Sequence, residues 1–406
     1  MTSQERHEAR YQRRKAKREA KRREHEKKYD DFDRLSSVSA IIGANWASRK
    51  GVMWKASVAR YNMRFFRNAR RTSSDLQKGK DVRQGFYNFQ INERGKLRDV
   101  HSLHYSERVV RRSVCTNAMV PILSHNLIHD NGASLKGKGV SFHIKRCENH
   151  LHKFWRERRN NDGYILIIDF RKFFDNITHD HVFRMYDEHF KDYRLNTMCR
   201  AFVEATGDKG LYIGPEDSQI TAVAFPNRID HLIKDVWRIK YYGRYMDDSY
   251  IILRDKKKLE HYRDLLLAEF AKIGIIPNPK KTQIIKLRRG FTFLKTQFFL
   301  TDTGKIIEKP CHDSIVRERR KLKAFRRFVN AGIMTLQQTG CSYMSWRGSV
   351  KDKNAHASVH CMDRLYFALF AEKPWIKKKK KHRKGIFNHD SSGNSGRNYR
   401  LQVAAC

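Results

Sequence analysis

Two adjacent carboxylates, Asp247 and Asp248, stand in the string Tyr245-Met246-Asp247-Asp248 between the short apolar runs 240–244 and 249–253. The pattern reads as the turn of a hairpin between hydrophobic strands. Neighbouring carboxylates repel, and each raises the pKa of the other. A chain tolerates that where a divalent cation neutralises the pair. A third carboxylate, Asp169, closes the run Tyr164-Ile165-Leu166-Ile167-Ile168, which is apolar, β-branched and reads as a buried strand. An Asp at that point is poorly solvated without a partner. Phosphoryl transfer by two metal ions about 3.5–4 Å apart needs carboxylates from separate chain segments. One Asp at a strand end and two on a hairpin supply such a set. The alternative is a helix-capping Asp169 and an unrelated surface turn.

Further segments weigh against that alternative. Glu93-Arg94-Gly95-Lys96-Leu97-Arg98-Asp99-Val100 lies upstream; Asn278-Pro279-Lys280-Lys281-Thr282 and Phe291-Thr292-Phe293-Leu294-Lys295-Thr296-Gln297-Phe298 lie downstream. With these motifs in this order, the chain resembles the reverse transcriptases from about Asn92 to Leu369. The resemblance implies an α+β, right-hand polymerase fold of fingers, palm and helical thumb. It implies that Asp169 and Asp247 hold two Mg²⁺ ions, for which Mn²⁺ substitutes, with Asp248 in support. Lys281 then belongs with the catalytic residues, near the pyrophosphate leaving group. Lys96 and Arg98 fall on the fingers hairpin that meets the incoming triphosphate, a task suited to ammonium and guanidinium groups. Glu107 to Arg112 continues this basic stretch as an amphipathic helix. Lys136, in Leu135-Lys136-Gly137-Lys138-Gly139, sits in a loop whose N–H groups and cations suit phosphates, although the glycine spacing is not that of a Walker loop. Phe170 and Phe174 flank the nucleotide by the same analogy. Phe174, five residues past Asp169, falls at the aromatic gate that rejects a ribose 2′-OH, while one of Phe173 and Phe174 is expected in a helix core. Phe293, Leu294 and Lys295 resemble the hairpin that grips the primer end, with Lys where the family has Gly.

The segment Gly210-Leu211-Tyr212-Ile213-Gly214-Pro215-Glu216-Asp217-Ser218-Gln219 discriminates within the family. Most bacterial reverse transcriptases read Gln-Gly-x-x-x-Ser-Pro here. The aliphatic-Gly-x-x-x-Ser-Gln form of this chain resembles the enzymes of diversity-generating retroelements, which are error-prone opposite template adenine. Ile213 and Gly214 are thereby placed at the nucleotide, with Gln219 where Pro would stiffen the loop. An alkyl group in place of a hydrogen-bonding Gln weakens discrimination, because polar pairing selects more sharply than apolar fit.

Composition agrees with a polyanion partner: 85 Lys and Arg against 43 Asp and Glu, a formal net charge of +42. The resemblance names the partners as dNTPs, a template RNA, the RNA/cDNA duplex and a small accessory protein. It also places the chain in the cytoplasm of a bacterium or as a phage product. The seven cysteines include no Cys-x-x-Cys, which speaks against a zinc module or a disulfide framework. His356, His360 and Cys361 read as a helix face rather than a metal site. No apolar run is long enough to span a membrane. Residues 1–30 form a basic arm, read as a solvated helix or a disordered segment that binds RNA. Fingers and palm are expected over 31–300. A helical thumb follows over 301–370, with helices from Ser314 to Asn330 and from Ala355 to Phe370 and with Ser345-Trp346-Arg347-Gly348 between them. A basic, disordered tail over 371–406 opens with Lys377 to Lys381. Other readings are a defence-associated or group II-like reverse transcriptase, or an RNA-binding scaffold that retained the fold.

Overall fold

A computed structural model describes residues 2–93 and 95–374. The basic tail from Lys377 and the Lys96 side chain lie outside the described residues. Among the described residues, nine strands form three antiparallel sheets. A two-stranded ribbon pairs β1 (Phe86–Glu93) with β2 (Lys96–Leu103). A four-stranded sheet has the order β4-β5-β3-β6, from β3 (Tyr164–Ile168), β4 (Tyr242–Tyr245), β5 (Asp248–Leu253) and β6 (Gln283–Lys286). A three-stranded sheet has the order β7-β8-β9, from β7 (Phe291–Phe293), β8 (Thr296–Leu300) and β9 (Ile306–Pro310).

The apolar run of β3 is central because both of its faces are covered. Successive side chains of a strand point to opposite faces. Leu166 and Ile168 pack into a core with Leu259, Leu266 and Phe270 of the Lys256–Lys272 helix. Ile165 and Ile167 pack into a second core with Leu151 and Phe154 of the Val140–Arg158 helix and with Phe291 and Phe298 of the third sheet. The β3 backbone is thereby fixed from both sides, and whatever follows Ile168 is held on a rigid base.

The N-terminal arm is a helix, Ser3–Tyr29, started by a capping box between Thr2 and Glu5. Its last turns are tied down. Glu26 accepts from His189 Nδ1 at 2.7 Å, and His25 stacks on His125 at 3.9 Å. The turns before Arg22 are almost wholly exposed.

The chain divides into two compact units. The first holds residues up to Ile315 together with Asp352–His356, and all three sheets belong to it. The second is helical and is built from Val316–Lys351 and residues 357–374. Its helices are most of His312–Asn330, then Leu336–Val350 and His356–Phe370. Its core stacks Tyr343 on Tyr366 at 5.0 Å, and Asp363 accepts from Tyr343 Oη and Arg347 Nε. One expectation needs correcting. The region from 301 does not open as helix, because the β-branched pair Ile306-Ile307 follows a turn at Gly304 and adds β9 to the third sheet. Ser345-Trp346-Arg347-Gly348 does fall between the two expected helices and is itself helical, with Tyr343 and Trp346, three residues apart, on the buried face.

Candidate active site

Strand register brings the carboxylates together. Ile168 of β3 pairs with Ser249 of β5, so the next residues outward, Asp169 and Asp248, lie at neighbouring strand ends. Tyr245 pairs with Asp248, which leaves Met246 and Asp247 as a two-residue turn. Met246 has φ +55°, a left-handed conformation uncommon outside glycine. A third segment arrives beside β3. Phe170 bridges to Pro277, and Asn278 N–H donates to the Asp169 carbonyl at 2.7 Å. Asn278 Nδ2 then donates to Asp169 Oδ2 at 3.0 Å, and Lys281 Nζ to Oδ1 at 2.8 Å. The Asn and the Lys of the Asn-x-x-Lys-Thr string therefore both meet the strand-end Asp.

The electrostatics follow from this crowding. Burial, then Asp247 and Asp169, push the Asp248 carboxyl up to about 7, against the pull of Lys281 and Lys295. Burial and Asp169 also raise Asp247, while Lys281 and Arg98 oppose the shift. The hydrogen bond to Asp169 raises the Lys281 ammonium. Arg98 of β2 and Lys295 of the β7–β8 turn thus both act on the carboxylates. Among the described residues no three His, Cys, Asp or Glu side chains form a ready-made metal cage. The donor chemistry nevertheless fits a hard divalent cation: carboxylate oxygens only, with two of the three groups driven toward protonation by burial and shared negative charge. Lys281 serves as the local counter-charge on Asp169.

The other expected residues divide. Phe174 is half-buried and meets the buried Phe173 edge-on at 5.7 Å, so the pair splits between core and site. The Phe174 carbonyl accepts from Leu211 N–H at 2.9 Å, which ties it to the 210–219 loop. On that loop Ile213 is 40% exposed, and Gly214 has φ +132°, which favours glycine. Gly214, Gln219 and residues 100–103 of β2 line one cavity of about 440 Å³, together with Arg108 and Arg112. Leu294 and Lys295 form the β7–β8 turn at φ +45° and +59°. Both lie where a two-residue hairpin turn requires, so Lys295 adopts the conformation for which a glycine is usual. Lys136 is exposed on the turn before the Val140–Arg158 helix and, among the described residues, makes no ion pair. Two rings are corrected. Phe170 is 3% exposed and packs on Phe270 at 4.4 Å, because it shares strand parity with Leu166 and Ile168. Phe293 is 2% exposed and edge-on to Tyr250 at 5.0 Å. Both rings are core side chains.

Sequence reasoning missed three groups. Tyr212 stacks on His101 at 3.6 Å and meets Phe86 edge-on at 4.8 Å, joining the 210–219 loop to the base of the β1–β2 ribbon. Arg111, expected on a phosphate-facing helix, is instead buried: Nε donates to Glu107 at 2.9 Å and Nη1 to Asp217 at 2.7 Å. Arg244 and Asp230, both 0% exposed, form a bidentate pair with Nη2 to Oδ2 at 2.6 Å. A charge inside an apolar strand beside Asp-Asp was the available signal, since such a charge is costly when unpaired. Its partner could not be named without the topology.

No curated protein matches the chain. Among solved structures it is similar to apo telomerase from Candida tropicalis truncated from its C-terminal domain, at 15% identity and TM-score 0.42 over 55% of each chain. It is also similar to telomerase from Candida albicans in complex with a TWJ fragment of telomeric RNA, at 12% identity and TM-score 0.44 over 76% of this chain. The chain spans 55% of the first telomerase and 65% of the second. A family model described as reverse transcriptase (RNA-dependent DNA polymerase) matches residues 95–308. That segment runs from the ribbon turn through β9, includes all three carboxylates and covers just over half of the sequence, and the chain therefore belongs to the reverse transcriptase family, with its right-hand polymerase fold.

Proposed function

We propose that this protein is an RNA-directed DNA polymerase of low fidelity, misincorporating chiefly opposite template adenine, as in diversity-generating retroelements. Asp169 and Asp247 would hold two divalent ions, Mg²⁺ or Mn²⁺, with Asp248 completing the charge. Such ions neutralise the triphosphate and help activate the primer hydroxyl. Lys281 has 57% of its side chain exposed, so it can leave Asp169 for a phosphate once the carboxylate has another cation. Arg98 offers a second cation to the same triphosphate, and Phe174 stands against a 2′-OH. The basic arm and the net charge of +42 fit a structured template RNA, and a small accessory protein would complete the assembly.

One observation carries the fidelity reading. Ile213 presents an exposed alkyl group beside the cavity that Gly214 and Gln219 line. A single missing hydrogen bond is worth about 0.5–1.5 kcal/mol, roughly threefold to tenfold in selectivity. That raises errors at one base without accounting for wholesale mutagenesis, so the RNA and the accessory protein would supply the rest. The test is deep sequencing of cDNA made on one RNA by the parent and by Ile213→Gln, with Asp247→Asn as the control without product. Errors concentrated at template adenine and reduced in Ile213→Gln are expected. A uniform, low error spectrum in the parent removes the diversity-generating reading and promotes the defence-associated one.

A further inference from the structure

The turn that carries Asp247 is braced from below by a buried ion pair. Arg244 precedes the turn on β4 and has no exposed surface. Its Nε lies 2.9 and 3.0 Å from the two Asp230 oxygens, and Nη2 lies 2.6 Å from Oδ2. The remaining donors reach two backbone carbonyls: Met246 from Nη1 at 3.3 Å, and Val223 from Nη2 at 2.8 Å. Asp230 is fixed in turn by Tyr242 Oη at 2.5 Å. Met246 is the strained residue of the turn, at φ +55°. Val223 lies on the Glu216–Ala224 helix, which also carries Ser218 and Gln219, and Asp230 lies on the Asn227–His231 helix. One guanidinium thus joins the carboxylate turn, the helix behind the nucleotide loop and a third element.

A buried ion pair is a poor source of stability. Desolvation roughly offsets the attraction, and apolar residues of similar volume often serve the fold as well. What apolar residues cannot supply is a planar fork that donates in several fixed directions at once. We propose that Arg244 and Asp230 are positioning residues for the reaction, holding the Met246 peptide so that the Asp247 carboxylate keeps a fixed place relative to Asp169. This rests on the reading of Asp247 as a metal ligand. Arg244 reaches no solvent, so it touches neither nucleotide nor metal and acts only through the turn.

The test compares the full-length parent with the apolar replacement Tyr242→Phe/Asp230→Leu/Arg244→Met and with Asp230→Asn, which keeps the shape and one acceptor. Melting temperature, single-nucleotide incorporation, and Mn²⁺ binding by electron paramagnetic resonance without nucleotide are measured for each. The apolar variant is expected to melt within a few degrees of the parent. Its kcat should fall by about 30-fold and its Mn²⁺ affinity by about 10-fold, as when groups that orient metal ligands are lost. Its nucleotide KM should move less than about twofold, because the contacts to the nucleotide are untouched. Asp230→Asn should lie between, about threefold slower, and it alone decides if the apolar variant does not fold. Parental kcat and Mn²⁺ affinity in either folded variant overturns the proposal. Asp247→Asn is measured alongside: parental Mn²⁺ binding in that variant rejects the ligand reading itself, a different failure.

Discussion

Asp248→Asn should stabilise the metal-free protein above neutral pH and change it little near pH 4. Burial and the charges of Asp247 and Asp169 raise the folded-state pKa of Asp248 from 3.8 to about 7. A carboxyl whose folded pKa lies above its unfolded value contributes stability at low pH, and that stability is lost as pH rises through the folded pKa. The window therefore runs from about pH 4 to about pH 7. A shift of about 3 units corresponds to about 4 kcal/mol. Halving this for partial exposure and for charge shared with Asp247 leaves about 2 kcal/mol. The compact unit that holds the site has roughly 320 residues and an unfolding entropy of about 0.7 kcal/mol/K, so the expected change in Tm is about 3 °C. The assay is thermal unfolding in EDTA at pH 4 and pH 8. The two proteins should nearly coincide at pH 4, and the Asn variant should melt higher at pH 8. Saturating Mg²⁺ should narrow or reverse the difference, because a ligand that binds only the folded parent stabilises it by mass action. Coincident melting at pH 8 in EDTA, or a less stable Asn variant, refutes the argument that these carboxylates crowd one another.

Phe174→Ala should admit ribonucleotides, read by comparing rGTP with dGTP in single-nucleotide incorporation; an unchanged preference moves the gate to another residue. Lys281→Ala should slow incorporation by about 100-fold, the usual loss when one positioned donor to a reacting oxyanion is removed; activity within twofold of the parent shows that Lys281 only screens Asp169. Deleting residues 2–21 should flatten the salt dependence of RNA binding, whose log–log slope is about −0.7 for each phosphate neutralised on a single strand; equal slopes with and without the segment make the arm passive.

The carboxylate cluster was legible because each of its parts has a local signature. Tyr164 to Ile168 reads as a strand from five apolar residues, and the hairpin reads from the runs on either side of Asp247-Asp248. Asn278 and Lys281 follow from a string whose role comes with the family. Phe170 was misplaced although its parity with Leu166 and Ile168 was available, since a motif position outweighed the alternation of the strand. Phe293 was misplaced likewise: on β7 the residues at 291 and 293 face the core, and the exposed positions are Thr292 and Lys295. Arg244 with Asp230, and Tyr212 with His101, depend on partners 14 and 111 residues apart. A single sequence contains each half of such a pair and nothing that joins them.

Among the described residues the ribbon of β1 and β2 has no third strand, and from Tyr87 to Asp99 the described side chains are all exposed. Two strands alone are only marginally stable in water. The base is different: Tyr212 clasps it, stacked on His101 and edge-on to Phe86. The ribbon is therefore a foldon of two halves, with amide protons that exchange quickly toward Gly95 and slowly near Phe86. A triphosphate that engages Arg98 must also order the outer half, and part of its binding free energy is consumed in doing so. Because Tyr212 adjoins Ile213, that ordering would reach the proposed nucleotide loop. Selectivity would then depend on how completely each nucleotide closes the ribbon as well as on how its base pairs.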